Sequence, residues 1–167
     1  MGKEASNDIT GLIGQYAHGN EPSHHITYLY VYAAQPWKTA EKVRFILDSL
    51  YFANPNGLSG NEDVGQMSAW YVMSALGFYP VHPAKGIYVF GSPIFDEASI
   101  DVGNGKRFVV KVKNNSPQNI YIQKMKLNNG KYTKAYISYS DIMKGGELEI
   151  EMGKKPSSWG TDIKDRP

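Results

Sequence analysis

Residues 66–76 read QMSAWYVMSAL and are followed by Gly77. The spacing predicts a helix that is apolar nearly all round, and such a helix has to be covered on most sides. Gly77 is placed to end it in the left-handed conformation. Working upstream, residues 38–51 (KTAEKVRFILDSLY) form a second helical pattern, with Ala40, Val43, Ile46, Leu47 and Leu50 on one stripe and Thr39 as its N-cap. Residues 22–34 (PSHHITYLYVYAA) form a third, with Pro22 in the first turn and Ile26, Leu29, Tyr30 and Ala33 on one face. Between the second helix and the apolar one, residues 52–65 (FANPNGLSGNEDVG) carry the Pro, Asn and Gly of a loop, and its length is that of a functional loop.

Downstream of about residue 80 the period changes to two. Asn104-Gly105 marks a hairpin before Phe108, Val110 and Val112, and Asn128-Asn129-Gly130 marks another turn. Ile120 and Ile122 share a face, but Met125 and Leu127 fall on the opposite parity, which predicts a bulge between them. In residues 147–152 Leu148, Ile150 and Met152 face inward and three glutamates outward. The expected fold class is therefore α+β: about three helices followed by a small antiparallel β-sheet or sandwich. Residues 1–80 form the helical part, 81–160 the β-segment and 161–167 a polar, frayed tail. A β-segment of this size covers one side of the helices and not the rest, so the helical part reads as a slice of a larger helical assembly.

Composition narrows the function. Eighteen basic against sixteen acidic residues give 18 − 16 = +2, too little to argue for nucleic acid. No apolar run is long enough for a membrane span, and the polar stretch after Met1 does not read as a signal peptide. The absence of cysteine excludes disulfides, thiolate metal sites and cysteine nucleophiles. Aromatics reach 13%, twelve of them Tyr, which suits either a core or carbohydrate stacking.

Two polar clusters precede apolar helices. In His18-Gly19-Asn20-Glu21-Pro22-Ser23-His24-His25, the adjacent His24 and His25 point about 100° apart on a helix and share one ion poorly, whereas Asn20 and Glu21 are hard oxygen donors of the kind calcium takes. Capping of the following helix is the alternative for both. In Gly60-Asn61-Glu62-Asp63-Val64-Gly65-Gln66 the two acids are either an N-terminal cap or a general base or metal ligand in a glycine-flanked loop.

These two motifs, HGNEPSHHITYLYVYAAQPWKTAEKVR and GLSGNEDVGQMSAWYVMSALGFYPV, resemble glycoside hydrolase family 92, the calcium-dependent, inverting, exo-acting α-mannosidases. The resemblance continues through GSPIFDEASI and NGKRFVVKVKNNSPQNIYIQKMKLN to the Trp-Gly at 159–160, nearly the whole chain. It implies that the chain is a C-terminal fragment: the last helices of a catalytic (α/α)6 barrel and the β-segment that closes it. It implies Asp63 as the general base with Glu62 second, His18, Asn20, Glu21 and His24 around the sugar, and Asn20, Glu21 and Asn61 as calcium ligands. The general acid belongs to an upstream Glu-Gly-x-x-Trp motif that these residues lack, so the fragment is expected to be inactive alone. Gly19 after His18 departs from the His-Glu pair of members with α-1,2 preference and leaves the linkage open. The implied partner is a mannose-containing glycan, and the parent enzyme is expected in the periplasm or outside the cell. Self-association through exposed helices is expected of the fragment. The rival reading is a non-catalytic carbohydrate-binding or interaction module that uses tyrosines of the β-half.

Overall fold

The computed structural model describes residues 9–167; the polar start at residues 1–8 lies outside the described residues. A two-stranded hairpin, β1 (Leu12–Ile13) with β2 (Tyr16–Ala17), leads into two 3-10 turns, Glu21–Ser23 and Ile26–Tyr28, and a single α-helical turn, α1 (Leu29–Tyr32). The expected continuous helix over 22–34 is thus broken. Its carbonyls are diverted to tertiary partners: the Trp70 indole N–H donates to His24 O at 3.2 Å, and the Thr39 hydroxyl donates to Thr27 O at 2.8 Å. Tyr28 N bonds His25 O at 3.0 Å, a 3-10 bond, in place of an α-helical bond to His24 O.

Helix α2 (Pro36–Ser49) starts two residues earlier than its apolar stripe suggests. Pro36 sits at its first position, where its missing N–H costs nothing, and Gln35 is the N-cap. Thr39 is not the cap but a buried interior residue, its hydroxyl spent on Thr27. Val43, Ile46 and Leu47 pack with Tyr28, Val31 and Trp70, and each such side chain contributes roughly 1.5–3 kcal/mol by burial. Helix α3 (Gln66–Leu76) has the predicted bounds and ends at Gly77, φ 102°, against Pro93. Met67, Trp70, Ser74 and Ala75 are buried, while Ser68, Ala69 and Val72 are exposed, so one face of this apolar helix has no cover among the described residues.

The rest is sheet. Strands β3 (Phe78–His82), β4 (Ile87–Phe90) and β9 (Tyr136–Ser138) make one antiparallel sheet in the order β3-β4-β9. The second sheet runs β5-β6-β10-β7-β8, from β5 (Glu97–Gly103), β6 (Lys106–Lys113), β7 (Tyr121–Leu127), β8 (Gly130–Tyr132) and β10 (Gly146–Gly153). The sheets are mostly antiparallel, but β6 and β10 pair in parallel. The long return through β7, β8, β9 and the short helix α4 (Tyr139–Met143) allows that. Asn104 and Gly105 both have positive φ, as the two-residue hairpin turn requires. The predicted bulge is present: Glu151 faces Lys124 and Met152 faces Ile122, skipping Gln123. Leu148, Ile150 and Met152 are buried, and Glu147, Glu149 and Glu151 pair with Lys111, Lys113 and Lys124 at 2.6, 2.5 and 2.9 Å.

The tail is not frayed. Ala135 N donates to Asp165 O at 2.7 Å, the Thr133 hydroxyl donates to the Asp165 carboxylate at 2.7 Å, and Asp165 is buried. Val89 and Ala135 belong to the same core as the helices. Arg44 fixes the junction, its Nε donating to Ser92 Oγ at 3.0 Å and its Nη2 to Asn115 Oδ1 at 2.6 Å. No helix among the described residues is long and apolar enough to cross a membrane.

Candidate active site

The two polar motifs meet because two glycines let their backbones touch. Gly19 has the Thr10 hydroxyl and the Ser59 carbonyl oxygen where a Cβ would stand, and a Cβ on Gly60 would lie 3.4 Å from Gly19 O. A side chain at Gly19 forces the loops apart, and one at Gly60 presses on the Thr10 hydroxyl, 2.7 Å from its Cβ. This contact sets Asn20 and Glu21, exposed at the end of one loop, beside Asn61, Glu62 and Asp63 of the other. It also explains Gly19 physically, since the approach of Ser59 leaves no room for a larger residue.

The acidic loop is strained. Asp63, Val64 and Gly65 have φ of 53°, 56° and 89°, three consecutive left-handed residues. For the β-branched Val64 this is a costly conformation, and its side chain is fully exposed, so no contact among the described residues compensates. The turn is closed by Gln66 N to Asp63 O at 3.1 Å and Met67 N to Glu62 O at 3.2 Å.

The two acids are not equivalent. Glu62 accepts from Ser68 N and from the Ser68 hydroxyl, both at 2.9 Å, and so caps the first turn of α3. Asp63 takes no N–H of that helix. Its carboxyl faces Glu21, and that neighbouring carboxyl, with some desolvation, raises its pKa above the ordinary aspartate value. His24 pulls in the opposite direction.

Two histidine rings lie beneath these loops. His18 is completely buried; the Tyr16 hydroxyl lies 2.8 Å from its Nδ1 and the Tyr51 hydroxyl 2.7 Å from its Nε2. Tyr51 spends its own proton on Met67 O at 3.0 Å, so it accepts from Nε2–H, and Nδ1 accepts from Tyr16. Burial, aided by His24, lowers the His18 pKa to about 3, so the ring stays neutral. Both of its nitrogens are spent inside the protein. His24 donates from Nε2 to His18 O at 3.0 Å and accepts at Nδ1 from Gln66 Nε2 at 3.1 Å; burial lowers its pKa, against the His18 carbonyl bond and the Asp63 charge. The rings of His18 and His24 stack at 4.8 Å, and Trp70 meets His18 edge-on at 4.5 Å. Tyr16, Tyr51 and Tyr79, to which the sequence reading gave no role, complete this layer with Gln66, the last residue of the second polar cluster; Tyr51 reaches the site by tertiary contact alone.

No group of three or more His, Asp or Glu side chains converges to hold a metal among the described residues. The acidic oxygens that face one another are the Glu21 and Asp63 carboxyls, with Asn20 and Asn61 next to them in sequence. Two facing carboxyls need a proton or a cation, and an all-oxygen set suits a hard ion such as calcium.

The profile of the glycosyl hydrolase family 92 catalytic domain matches residues 1–154. A family GH92 α-mannosidase from Bacteroides thetaiotaomicron, solved in complex with mannoimidazole, is 43% identical with a TM-score of 0.92, over 96% of this chain and 21% of that one. A family GH92 inverting mannosidase from the same organism is 44% identical with a TM-score of 0.86, over 92% of this chain and 21% of its own. An uncharacterised secreted glycosidase from Arthroderma benhamiae is 36% identical over 152 residues, 89% of this chain and 20% of the relative. The chain spans about a fifth of the length of these relatives. Matched over most of its length in sequence and in fold, it belongs to glycosyl hydrolase family 92, the α-mannosidases, as part of their catalytic domain.

Proposed function

We propose that the chain supplies the general-base loop and part of the sugar-binding subsite of an exo-acting, inverting α-mannosidase, working as one part of a longer polypeptide. The observation that carries this reading is the division of labour between neighbours: Glu62 is committed to α3 while Asp63 is left free, facing Glu21 with a raised pKa. Inversion needs an acid and a base about 6.5–9.5 Å apart with water between base and sugar. In this reading Asp63 holds that water and takes its proton as the oxygen attacks the anomeric carbon from the face opposite the leaving group. A base with a raised pKa binds that proton more firmly, within the limit that it stays ionised at working pH.

Asn20, Glu21 and Asn61 would hold calcium, which grips vicinal sugar hydroxyls and favours the oxocarbenium-like geometry of the transition state. His24 closes the floor of the subsite beside Asp63. His18, its ring nitrogens spent on Tyr16 and Tyr51, shapes that floor from below rather than reaching the sugar. The substrate class is a terminal α-mannoside, supported by the mannoimidazole bound to the Bacteroides relative. The secreted name of the Arthroderma relative supports work outside the cytoplasm. The general acid is not among these residues, so the chain by itself has no measurable turnover; loss of an acid alone forfeits on the order of 10²–10⁴-fold.

The test is Asp63→Asn in the full-length polypeptide, assayed on an aryl α-mannoside. The change keeps the shape and removes the base, so kcat collapses while KM changes little. A kcat near that of the wild type refutes the assignment.

A further inference from the structure

We infer that Tyr51 is a positioning residue: its hydroxyl fastens the loop that carries Asn20 and Glu21 to the first turn of the helix that Glu62 and Asp63 open. The inference rests on the reading of Asp63 as the base. One oxygen joins three segments. Tyr51 stands just beyond α2, donates to Met67 O at 3.0 Å and accepts from His18 Nε2 at 2.7 Å. His18 lies two residues before Asn20, and Met67 four residues after Asp63, so the hydroxyl spans the two motifs close to their functional ends.

The strut is short and saturated. His18 has its other nitrogen on Tyr16, its face on His24 and its edge toward Trp70. Removing the Tyr51 oxygen leaves the buried His18 Nε2–H without a partner and takes from the Met67 carbonyl its bond outside the helix, which the loops relieve only by moving apart or admitting water. A second tie runs beside it: Gln66 Nε2 donates both to His24 Nδ1 and to Tyr79 Oη, each at 3.1 Å. Neither Tyr51 nor Gln66 has to touch the sugar; both hold Asp63 at its distance from the Glu21 loop. A shift of about 1 Å in such a separation costs on the order of 100-fold in rate.

The experiment is Tyr51→Phe in the full-length polypeptide, with kcat and KM on an aryl α-mannoside and thermal unfolding on the same samples. The expected result is a kcat lower by roughly ten- to a hundredfold, with KM within about threefold, in an enzyme that is folded at the assay temperature. Gln66→Leu is expected to act in the same direction. A purely structural tie lowers Tm and leaves the kcat of the folded enzyme unchanged; that result for Tyr51→Phe overturns the inference. Should Tyr51→Phe fail to fold, Gln66→Leu decides, and wild-type kcat there overturns it equally. Asp63→Asn, run alongside, separates the two levels. Full turnover in Asp63→Asn removes the base reading and this inference with it, whereas an inactive Asp63→Asn beside a fully active Tyr51→Phe removes the strut alone.

Discussion

Glu62 and Ser68 are locked in a two-point contact, one carboxylate oxygen on the backbone N–H and the other on the hydroxyl, each at 2.9 Å. The contact makes Glu62 a structural acid and gives the two neighbours opposite mutational signatures. Glu62→Ala should lower the stability of the chain by about 1 kcal/mol, the usual worth of an N-terminal cap. Asp63→Asn should leave the urea midpoint unchanged or raise it, because it removes one of two facing carboxyls. Equal losses for both would show that Asp63 also caps α3.

Val64 should be a site where glycine stabilises. Its side chain touches solvent only, and its φ of 56° places a β-branched residue in the left-handed region. Relief of that clash, roughly 1–2 kcal/mol, outweighs the roughly 0.5–1 kcal/mol of extra chain entropy that glycine brings. Val64→Gly should therefore raise Tm slightly. A lower Tm would mean that Val64 is held by a contact outside the described residues.

His18 should make the fold acid-sensitive. In the unfolded chain its imidazole protonates near pH 6.5, whereas in the folded state burial, reinforced by His24, delays this to about 3. Between those values the unfolded state binds more protons, so stability is fully present above 6.5 and drains away as pH falls through the window. Each unit of displacement corresponds to about 1.4 kcal/mol, a large share of a marginal fold. The His18 ring proton, followed by NMR, should not titrate above pH 4. A midpoint near 6.5 would contradict the buried, doubly bonded ring.

The chain by itself should self-associate through its helical part. Of the eleven large apolar side chains exposed among the described residues, eight lie between Ile9 and Val72, with Phe52, Val64 and Val72 more than half exposed. Patches of this kind seek cover. Sedimentation should show a concentration-dependent mass that Phe52→Lys with Val72→Lys abolishes. A monodisperse monomer at all concentrations would refute this.

The sequence was legible where a local rule governs. The ends of α3, the Asn104-Gly105 hairpin, the skip at Gln123 and the inward Leu148, Ile150 and Met152 follow from period and turn chemistry alone. It was illegible where a distant group outbids a local one. Thr39 reads as a cap until Thr27 O claims its hydroxyl, and residues 22–34 read as a helix until Trp70 takes a carbonyl from them. The tail reads as loose because nothing in its own residues announces that Ala135 and Thr133 bind Asp165. At the site, the motifs named the acids, but their division into cap and free carboxyl depends on which one reaches Ser68, which one-residue spacing does not reveal.

The place of β10 sets the order of assembly. It lies in the middle of the five-stranded sheet, between β6 and β7, yet it is made after every other strand. Until residues 146–153 are made, β5-β6 and β7-β8 can pair only as two ribbons with a vacant slot between them, each with an unpaired edge facing the gap. Only when Leu148, Ile150 and Met152 emerge does the slot fill and the two ribbons become one sheet. Nascent chains halted short of β10 should be the ones that chaperones retain, and a premature stop there should be far more damaging than its distance from the acidic loop suggests.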